Sequence, residues 1–334
     1  MTLTPTELAL KTARHDRAVI ALSEGTDPRV VEGALAANKA GVADIILVGP
    51  GEDVRAALTA AGGAESDAIA IHDPADSELH DAFARAHFDL RSKRGVTMEQ
   101  SQEAVLDPIV FAALLVREGH ATGTVGGAVA TTSDIVRAAI QMIGKAPEAA
   151  LVSSFFLMYP PENACEGARA MLYSDSGLVI DPSAEELASI AEISAASFQA
   201  LMQDEPRIAM LSFSTKGSAR HAAVTKVTQA TEALQAKRPD QTVDGELQFD
   251  AAFVPSVGER KSPGSDVAGH ANVMIFPNLD AGNIGYKITQ RLGGYAAIGP
   301  VMQGLNKPAN DLSRGCTAED VAEMIAVTVL QARA

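Results

Sequence analysis

The 334-residue chain carries 27 Lys and Arg against 42 Asp and Glu, a net charge of −15, and 47% of its residues are hydrophobic. That hydrophobic share excludes a disordered chain, and the longest apolar runs, "DIILVG" and "SSFFLMY", are far too short to span a bilayer. An acidic surface with no Trp and 4% aromatics excludes nucleic acid and anionic membranes as partners.

The N-terminus "MTLTPTELALKTARHDR" lacks the basic start, apolar block and cleavage site of a signal peptide. Cys165 and Cys316 lie far apart and form no CxxC, so they read as reduced thiols of a cytoplasmic protein. The first predicted elements are strands at "AVIALSEG", "DIILVG", "AIAIHD" and "GTVGG". Between them, "DPRVVEGALAANKAG" and "ELHDAFARAHFDLRSKRG" place apolar residues every three to four positions and predict helices. Strand, helix, strand in this order implies right-handed crossovers and a doubly wound α/β sheet. The rhythm restarts near Glu148 to Val152, where the domain change is expected. "ALVSSFFLMYP" and "ARAMLYSDSGL" predict strands, and "SAEELASIAEISAASFQALM" a helix. "RIAMLSFS", "KGSARHAAVTKVTQATEALQ" and "ELQFDAAFVP" continue the alternation. "ANVMIFPN", "AGNIGYKITQRLG" and "YAAIGPVMQG" follow, before a closing helix at "AEDVAEMIAVTVLQARA".

Several chemistries are not signalled. There is no G-x-x-x-x-G-K-[ST], no G-x-G-x-x-G after the first strand and no G-x-S-x-G elbow. Seven scattered histidines, with no H-E-x-x-H, argue against a metal site, and His221 reads as a solvated helix residue.

"NDLSRGCTAED" reads two ways. As an ordinary helix start, Thr317 is the N-cap, Asp320 completes a capping-box spacing and Cys316 is simply buried. As an anion site, a helix N-terminus offers unpaired N–H groups and partial positive charge. Arg314 then adds a planar cation, Ser313 a hydroxyl, and Asp320 a proton acceptor. "AVATTSDIVRAAIQMIG" has the same design: a glycine-rich strand end leads into Thr131, Thr132 and Ser133 at a helix start, whose hydroxyls and N–H groups suit a phosphate, and Arg137 lies one turn on. An N-cap with Arg137 on a solvated face explains it equally well. "LRSKRGVTMEQ" groups Arg91, Lys93 and Arg94, either as a cationic site or as a helix end favoured by its dipole. Asp244, Glu246 and Asp250 read either as paired carboxylates for acid–base work, on one face if they hold alternate positions of a strand, or as a polar sheet edge.

Taken together, "SFSTKGSARH", "DGELQFDAAFVPSVG", "PGSDVAGHANVMIFPNLDAGNIGYK", "GPVMQGLNKPANDLSRGC" and "GAVATTSDIVRAAIQMI" resemble the phosphate acetyltransferase family, in the family's order and over nearly the whole chain. The resemblance is to the family's short form. It implies two α/β/α domains of the isocitrate/isopropylmalate dehydrogenase type, with the active site in the cleft between them. One domain is expected to span 1–148 with a returning 300–334, the other 149–299. The implied reaction is acetyl-CoA plus phosphate to acetyl phosphate plus CoA, by direct attack of the CoA thiolate in a ternary complex. The implied catalytic residues are Ser313, Arg314 and Asp320. Arg91, Arg137, Thr132 and Ser133 are implied to bind CoA or the anionic substrate. No tightly bound cofactor and no metal are expected; CoA, acetyl phosphate and phosphate are the partners, and the assembly is a homodimer. Cys316 is expected to be a bystander. A butyryl-type acyltransferase and a non-catalytic acetyl-CoA-sensing domain are the alternatives. The chain departs from the family at Ala130, where His is frequent, at Ala138, where Pro is frequent, and at Ser176, where Cys follows Asp175.

Overall fold

The computed structural model describes residues 3–12, 17–165 and 167–333. In chain order it has α1 (Pro5–Lys11), β1 (Val19–Leu22), α2 (Pro28–Ala40), β2 (Asp44–Val48), α3 (Gly51–Ala60), β3 (Ile69–His72), α4 (His80–Arg91), α5 (Met98–Ala104), α6 (Pro108–Arg117), β4 (Gly123–Gly126) and α7 (Thr132–Ala138). Then come β5 (Ser153–Tyr159), β6 (Met171–Ser174), α8 (Ala184–Met202), β7 (Arg207–Leu211), α9 (Ala222–Lys237), β8 (Thr242–Leu247), α10 (Phe249–Phe253), α11 (Pro255–Lys261), β9 (Val273–Ile275), α12 (Leu279–Arg291) and β10 (Ala296–Gln303). The chain closes with β11 (Ala309–Asp311) and α13 (Ala318–Gln331). It divides into two compact units, 3–147 with 305–334, and 148–304.

The first unit is built on a parallel sheet of order β11-β4-β1-β2-β3. Its strands are near-continuous apolar runs because helices cover both faces. Adjacent residues of β11 show the two faces. Asn310 donates to Thr328 and Gln331 of α13 (2.9 and 2.7 Å), while Asp311 accepts from Thr132 of α7. β4 repeats this. A Cβ on Gly123 would meet Thr328 at 2.4 Å, and one on Gly126 would meet Ile135 at 3.0 Å. Helix α13 also lies tightly on α2, where a Cβ on Gly33 would come within 2.6 Å of the Ala318 carbonyl. The loops that follow β1, β4 and β11 therefore emerge side by side from the carboxyl ends of three adjacent parallel strands. In open α/β sheets that is the edge where ligands bind.

The second unit has a mixed sheet of order β10-β5-β6-β9-β7-β8, antiparallel across β10, β5 and β6 and parallel from β6 onward. Phe156, Tyr173, Leu211, Leu247, Met274 and Phe276 form one of its buried clusters. Helix α8 opens with a capping box, Ser183 to Glu186.

One expectation about this unit fails. Asp244 and Glu246 lie in β8, but Asp250 does not share their face, because "FDAAF" turns into α10 and Pro255 starts α11. The three carboxylates have separate partners. Asp244 pairs with Lys216 and accepts from Ser265 (2.5 Å). Glu246 takes Ser214 and the Gly217 N–H (both 2.8 Å), and Asp250 pairs with Lys261 (2.8 Å). His221 caps α9, its Nδ1 accepting from the Ala223 N–H (3.1 Å).

Among the described residues, no helix is long and apolar enough to cross a membrane, and no group of three or more His, Cys, Asp or Glu is gathered for a metal ion.

Candidate active site

Three loops at the carboxyl ends of β1, β4 and β11 make the site, and Glu24 of the first loop and Arg29 of the helix after it hold the other two. Glu24, just past β1, turns its carboxylate into the β4–α7 loop. Oε2 accepts from the N–H groups of Gly127 and Ala128 (2.9 and 2.7 Å), and Oε1 from those of Val129 and Ala130 (3.0 and 2.7 Å). Four consecutive amides thus close on one internal anion. Arg29, in the first turn of α2, forms an ion pair with Asp27 (2.8 Å). Its remaining donors reach the Arg314 carbonyl (2.8 Å), the Cys316 carbonyl (3.3 Å) and the Ala128 carbonyl (2.9 Å). A planar guanidinium spends its whole fork on bracing three loops at once. Arg29 also holds the Asp27 carboxyl below the usual carboxylate range, through their side-chain hydrogen bond.

The β11–α13 loop is shaped by that brace. The Ser313 Oγ accepts from the Gly315 N–H (3.2 Å), and the Cys316 N–H donates to the Ser313 carbonyl (2.9 Å). Ser313, Arg314 and Gly315 are exposed, whereas Cys316 is buried and unbridged. Among the described residues, the Arg314 guanidinium has neither an ion pair nor a hydrogen bond. Its main chain is anchored and its charge is uncommitted, as an anion-binding arginine requires. Burial, aided by the Asp320 charge, pushes the Cys316 thiol up despite the nearby Arg29, which makes it a poor nucleophile.

Both readings of the Thr317 segment are present in the geometry. Thr317 caps α13, its hydroxyl accepting from the Asp320 N–H (3.2 Å) while Asp320 Oδ2 accepts from the Thr317 N–H (2.9 Å). Asp320 is exposed one turn into the helix with one oxygen committed to the cap.

In the β4–α7 loop, Thr131 is the N-cap of α7. Thr132 and Ser133 stand in its first turn, exposed, and the Thr132 hydroxyl donates to Asp311 Oδ2 (2.6 Å). Arg137 pairs with Asp134 (2.8 Å) on the exposed face. The amides of the stretch before the helix, Gly127 to Ala130, are taken by Glu24.

Arg91 ends α4 and leads into a 3₁₀ turn, Ser92–Arg94, closed by Gly95 at φ 86°. It is half-buried, and its charge adds to burial in lowering the His87 pKa. Among the described residues no hydrogen bond or ion pair ties it to the Ser313 loop. Ser313, Arg314, Asp320, Thr132, Ser133 and Arg137 therefore share one sheet edge, and Arg91 stands on a separate helix end.

Sequence reasoning missed Glu24, Arg29 and Asp311. The first two lie in "SEGTDPR", where the predicted strand ends and the predicted helix begins, and an acid followed by Asp-Pro-Arg there was a usable signal. Asp311 is inside the quoted loop motif, but nothing local marks it as buried. Among the concavities of the second unit, that at the carboxyl ends of β7 and β9 measures about 730 Å³ and is lined in part by Leu211, Phe213, Phe249, Phe276 and Lys226.

Residues 6–329 match the family model described as phosphate acetyl/butaryl transferase. The chain belongs to that family. A phosphate acetyltransferase of Paracoccus denitrificans is 47% identical over 95% of this chain and 96% of its own length. That of Thermoanaerobacterium thermosaccharolyticum is 46% identical over 97% and 98%. Among solved structures, a phosphotransacetylase from Streptococcus pyogenes superposes with a TM-score of 0.92 at 42% identity, covering 98% of each chain.

Proposed function

We propose that this chain is a phosphate acetyltransferase, moving an acetyl group reversibly between CoA and phosphate. The observation that carries the reading is Arg314: an exposed, uncommitted cation on a loop whose backbone Arg29 holds in place, within a chain 42–47% identical to phosphate acetyltransferases over nearly its full length. In the thioester-forming direction the CoA thiolate attacks the carbonyl of acetyl phosphate in a ternary complex, and phosphate leaves. Arg314 stabilises the charge that develops on the carbonyl oxygen and the departing phosphate. Ser313 holds the reacting group in line, and Asp320 orients the thiol. Thr132, Ser133, Arg137 and Arg91 bind CoA or the anionic substrate, and this demands that Arg137 exchange its exposed Asp134 partner for the ligand, a small cost for a surface pair.

The family model's description covers acetyl and butaryl transfer alike, which keeps a longer acyl group as the second reading. Incubating the protein with CoA and either acetyl or butyryl phosphate, and following the thioester, decides between them. No thioester from either, with tight acetyl-CoA binding, overturns both readings in favour of a sensing domain. Cys316→Ala is expected to keep most activity; complete loss, with acetyl trapped on the wild-type thiol, would revive a covalent route. A cytoplasmic homodimer is the proposed state of the protein. Helix α12 exposes Ile284, Ile288 and Leu292 at four-residue spacing, an apolar stripe of the kind subunit interfaces cover. Sedimentation velocity tests the assembly, and a monomer at micromolar concentration rules it out.

A further inference from the structure

Glu24 has no part in the reaction proposed above. Its carboxylate accepts from the N–H groups of Gly127, Ala128, Val129 and Ala130, at 2.7–3.0 Å. Those residues are the whole of the chain between the end of β4 at Gly126 and the cap of α7 at Thr131. Among the described residues no ion pair offsets the Glu24 charge, so the N–H dipoles are what stabilise it.

The carboxylate stands on a fixed base. On one side of Glu24 the Ser23 N–H donates to the Val125 carbonyl of β4 (3.2 Å), and on the other the Gly25 N–H donates to the Val48 carbonyl of β2 (3.0 Å). Gly25 lies so close to β2 that a Cβ there would come within 3.1 Å of the Leu47 Cβ and the Val48 carbonyl. A second grip comes from Arg29, which donates to the Ala128 carbonyl (2.9 Å). An anion thus holds the amides, and a cation a carbonyl, of the same short segment. Gly127, at φ 107°, supplies the backbone freedom that lets consecutive amides converge on one point.

The segment delivers Thr132 and Ser133, exposed in the first turn of α7, and Arg137 one turn on. A helix of seven residues has little stability of its own, so its place is set by what it is tied to. One tie is the Thr132 hydroxyl on Asp311 (2.6 Å), and the other is the segment that Glu24 holds.

We propose that Glu24 is a positioning residue of the transferase. Its carboxylate sets the β4–α7 segment, and through it Thr132, Ser133 and Arg137, in the geometry that binds CoA or the anionic substrate. This role rests on the transferase reading. No proton moves and no bond forms at Glu24. The carboxylate fills from within an amide cradle that would otherwise take water or an outside anion. The gain is preorganisation: the binding groups are ordered before the substrate arrives, not at its expense. Chemistry fixes what can replace it. Glutamine has the same shape but one acceptor oxygen and two donor hydrogens, so it turns donors on part of the cradle. Aspartate keeps the charge and falls one methylene short.

The test measures kcat and KM for CoA and for acetyl phosphate in the wild type, Glu24→Gln, Glu24→Asp and Glu24→Ala, with urea unfolding of each. Glu24→Gln is expected to lower kcat/KM about tenfold and Glu24→Ala about a hundredfold, with most of the loss in KM. Lost folding lowers the apparent kcat through the inactive fraction and leaves KM as it was, so the split separates positioning from stability. Glu24→Asp recovers part of the loss. Formate, a carboxylate small enough for the vacated cradle, lowers the raised KM of Glu24→Ala in a saturable way, and chloride at equal ionic strength does not. A folded Glu24→Gln protein with both KM values within about threefold of wild type overturns the role, as does a loss lying wholly in kcat that tracks the unfolded fraction. Wild type without turnover overturns the transferase reading instead. The role of Glu24 is then read from calorimetry of CoA and acetyl phosphate, where equal affinities in wild type and Glu24→Gln overturn it as well.

Discussion

Asp175 and Asp311 are the same side chain at the same depth, 2% and 1% exposed, each just past or at the end of a strand. In the second unit the Asp175 carboxylate is saturated. It accepts from the Ser154 N–H and hydroxyl (2.8 and 2.7 Å) and from the N–H groups of Gly177, Leu178 and Val179 (2.8, 2.9 and 3.2 Å). In the first unit Asp311 has one hydroxyl, from Thr132, and an oxygen with no hydrogen-bond partner among the described residues. The four amides of the neighbouring β4–α7 loop go instead to Glu24. Equal burial with unequal satisfaction separates a carboxylate that organises a loop from one left with an open oxygen, and burial alone does not distinguish them.

Four substitutions test that contrast, in order of expected size. Asp175→Ala orphans five donors at once and should cost on the order of 4 kcal/mol, read as a fall in the urea unfolding midpoint of the second unit. An unchanged midpoint would mean that the saturated carboxylate is dispensable. Arg314→Gln should leave unfolding unchanged yet cost about 3 kcal/mol of transition-state stabilisation, a hundredfold in turnover in the thiol-release assay. Wild-type-like rates would remove Arg314 from the chemistry.

Asp311→Asn should do the reverse of Asp175→Ala and stabilise the fold. The folded pKa lies above the ordinary 3.8, at about 6, so the stability tied to the protonated form is complete below 3.8 and is lost as pH rises through about 6. Asparagine removes that loss, and the expected gain is roughly 1–3 kcal/mol at pH 8, vanishing near pH 4. A destabilised variant at pH 8 would mean that the carboxylate is better satisfied than its contacts indicate. The smallest effect is at Ser176, whose hydroxyl is buried without a partner beside the α12 backbone. Ser176→Cys, the residue frequent in the family, should gain about 0.5–1 kcal/mol, since a thiol is cheaper to bury unpaired.

Much of this was legible because it is local. The 3.6-residue periodicity of "SAEELASIAEISAASFQALM" marks α8, and Ser183 with Glu186 marks its start within four residues. The Thr317 and Asp320 spacing likewise foretells the cap that the structure contains. The strand reading of "ELQFDAAFVP" failed after Leu247 because a short apolar run has no periodicity long enough to choose strand over helix.

The chain by itself therefore determined the alternation of strands and helices, the helix starts and the identity of the loop that presents Ser313 and Arg314, all set by interactions spanning a few residues. Only the tertiary structure decided which groups in that loop are free. Arg29 meets Arg314 across 285 positions and Thr132 meets Asp311 across 179, contacts that exist because the parallel order β11-β4-β1 brings three distant strand ends to one edge. Satisfaction of a buried charge depends on that whole neighbourhood, and no short stretch of sequence contains it.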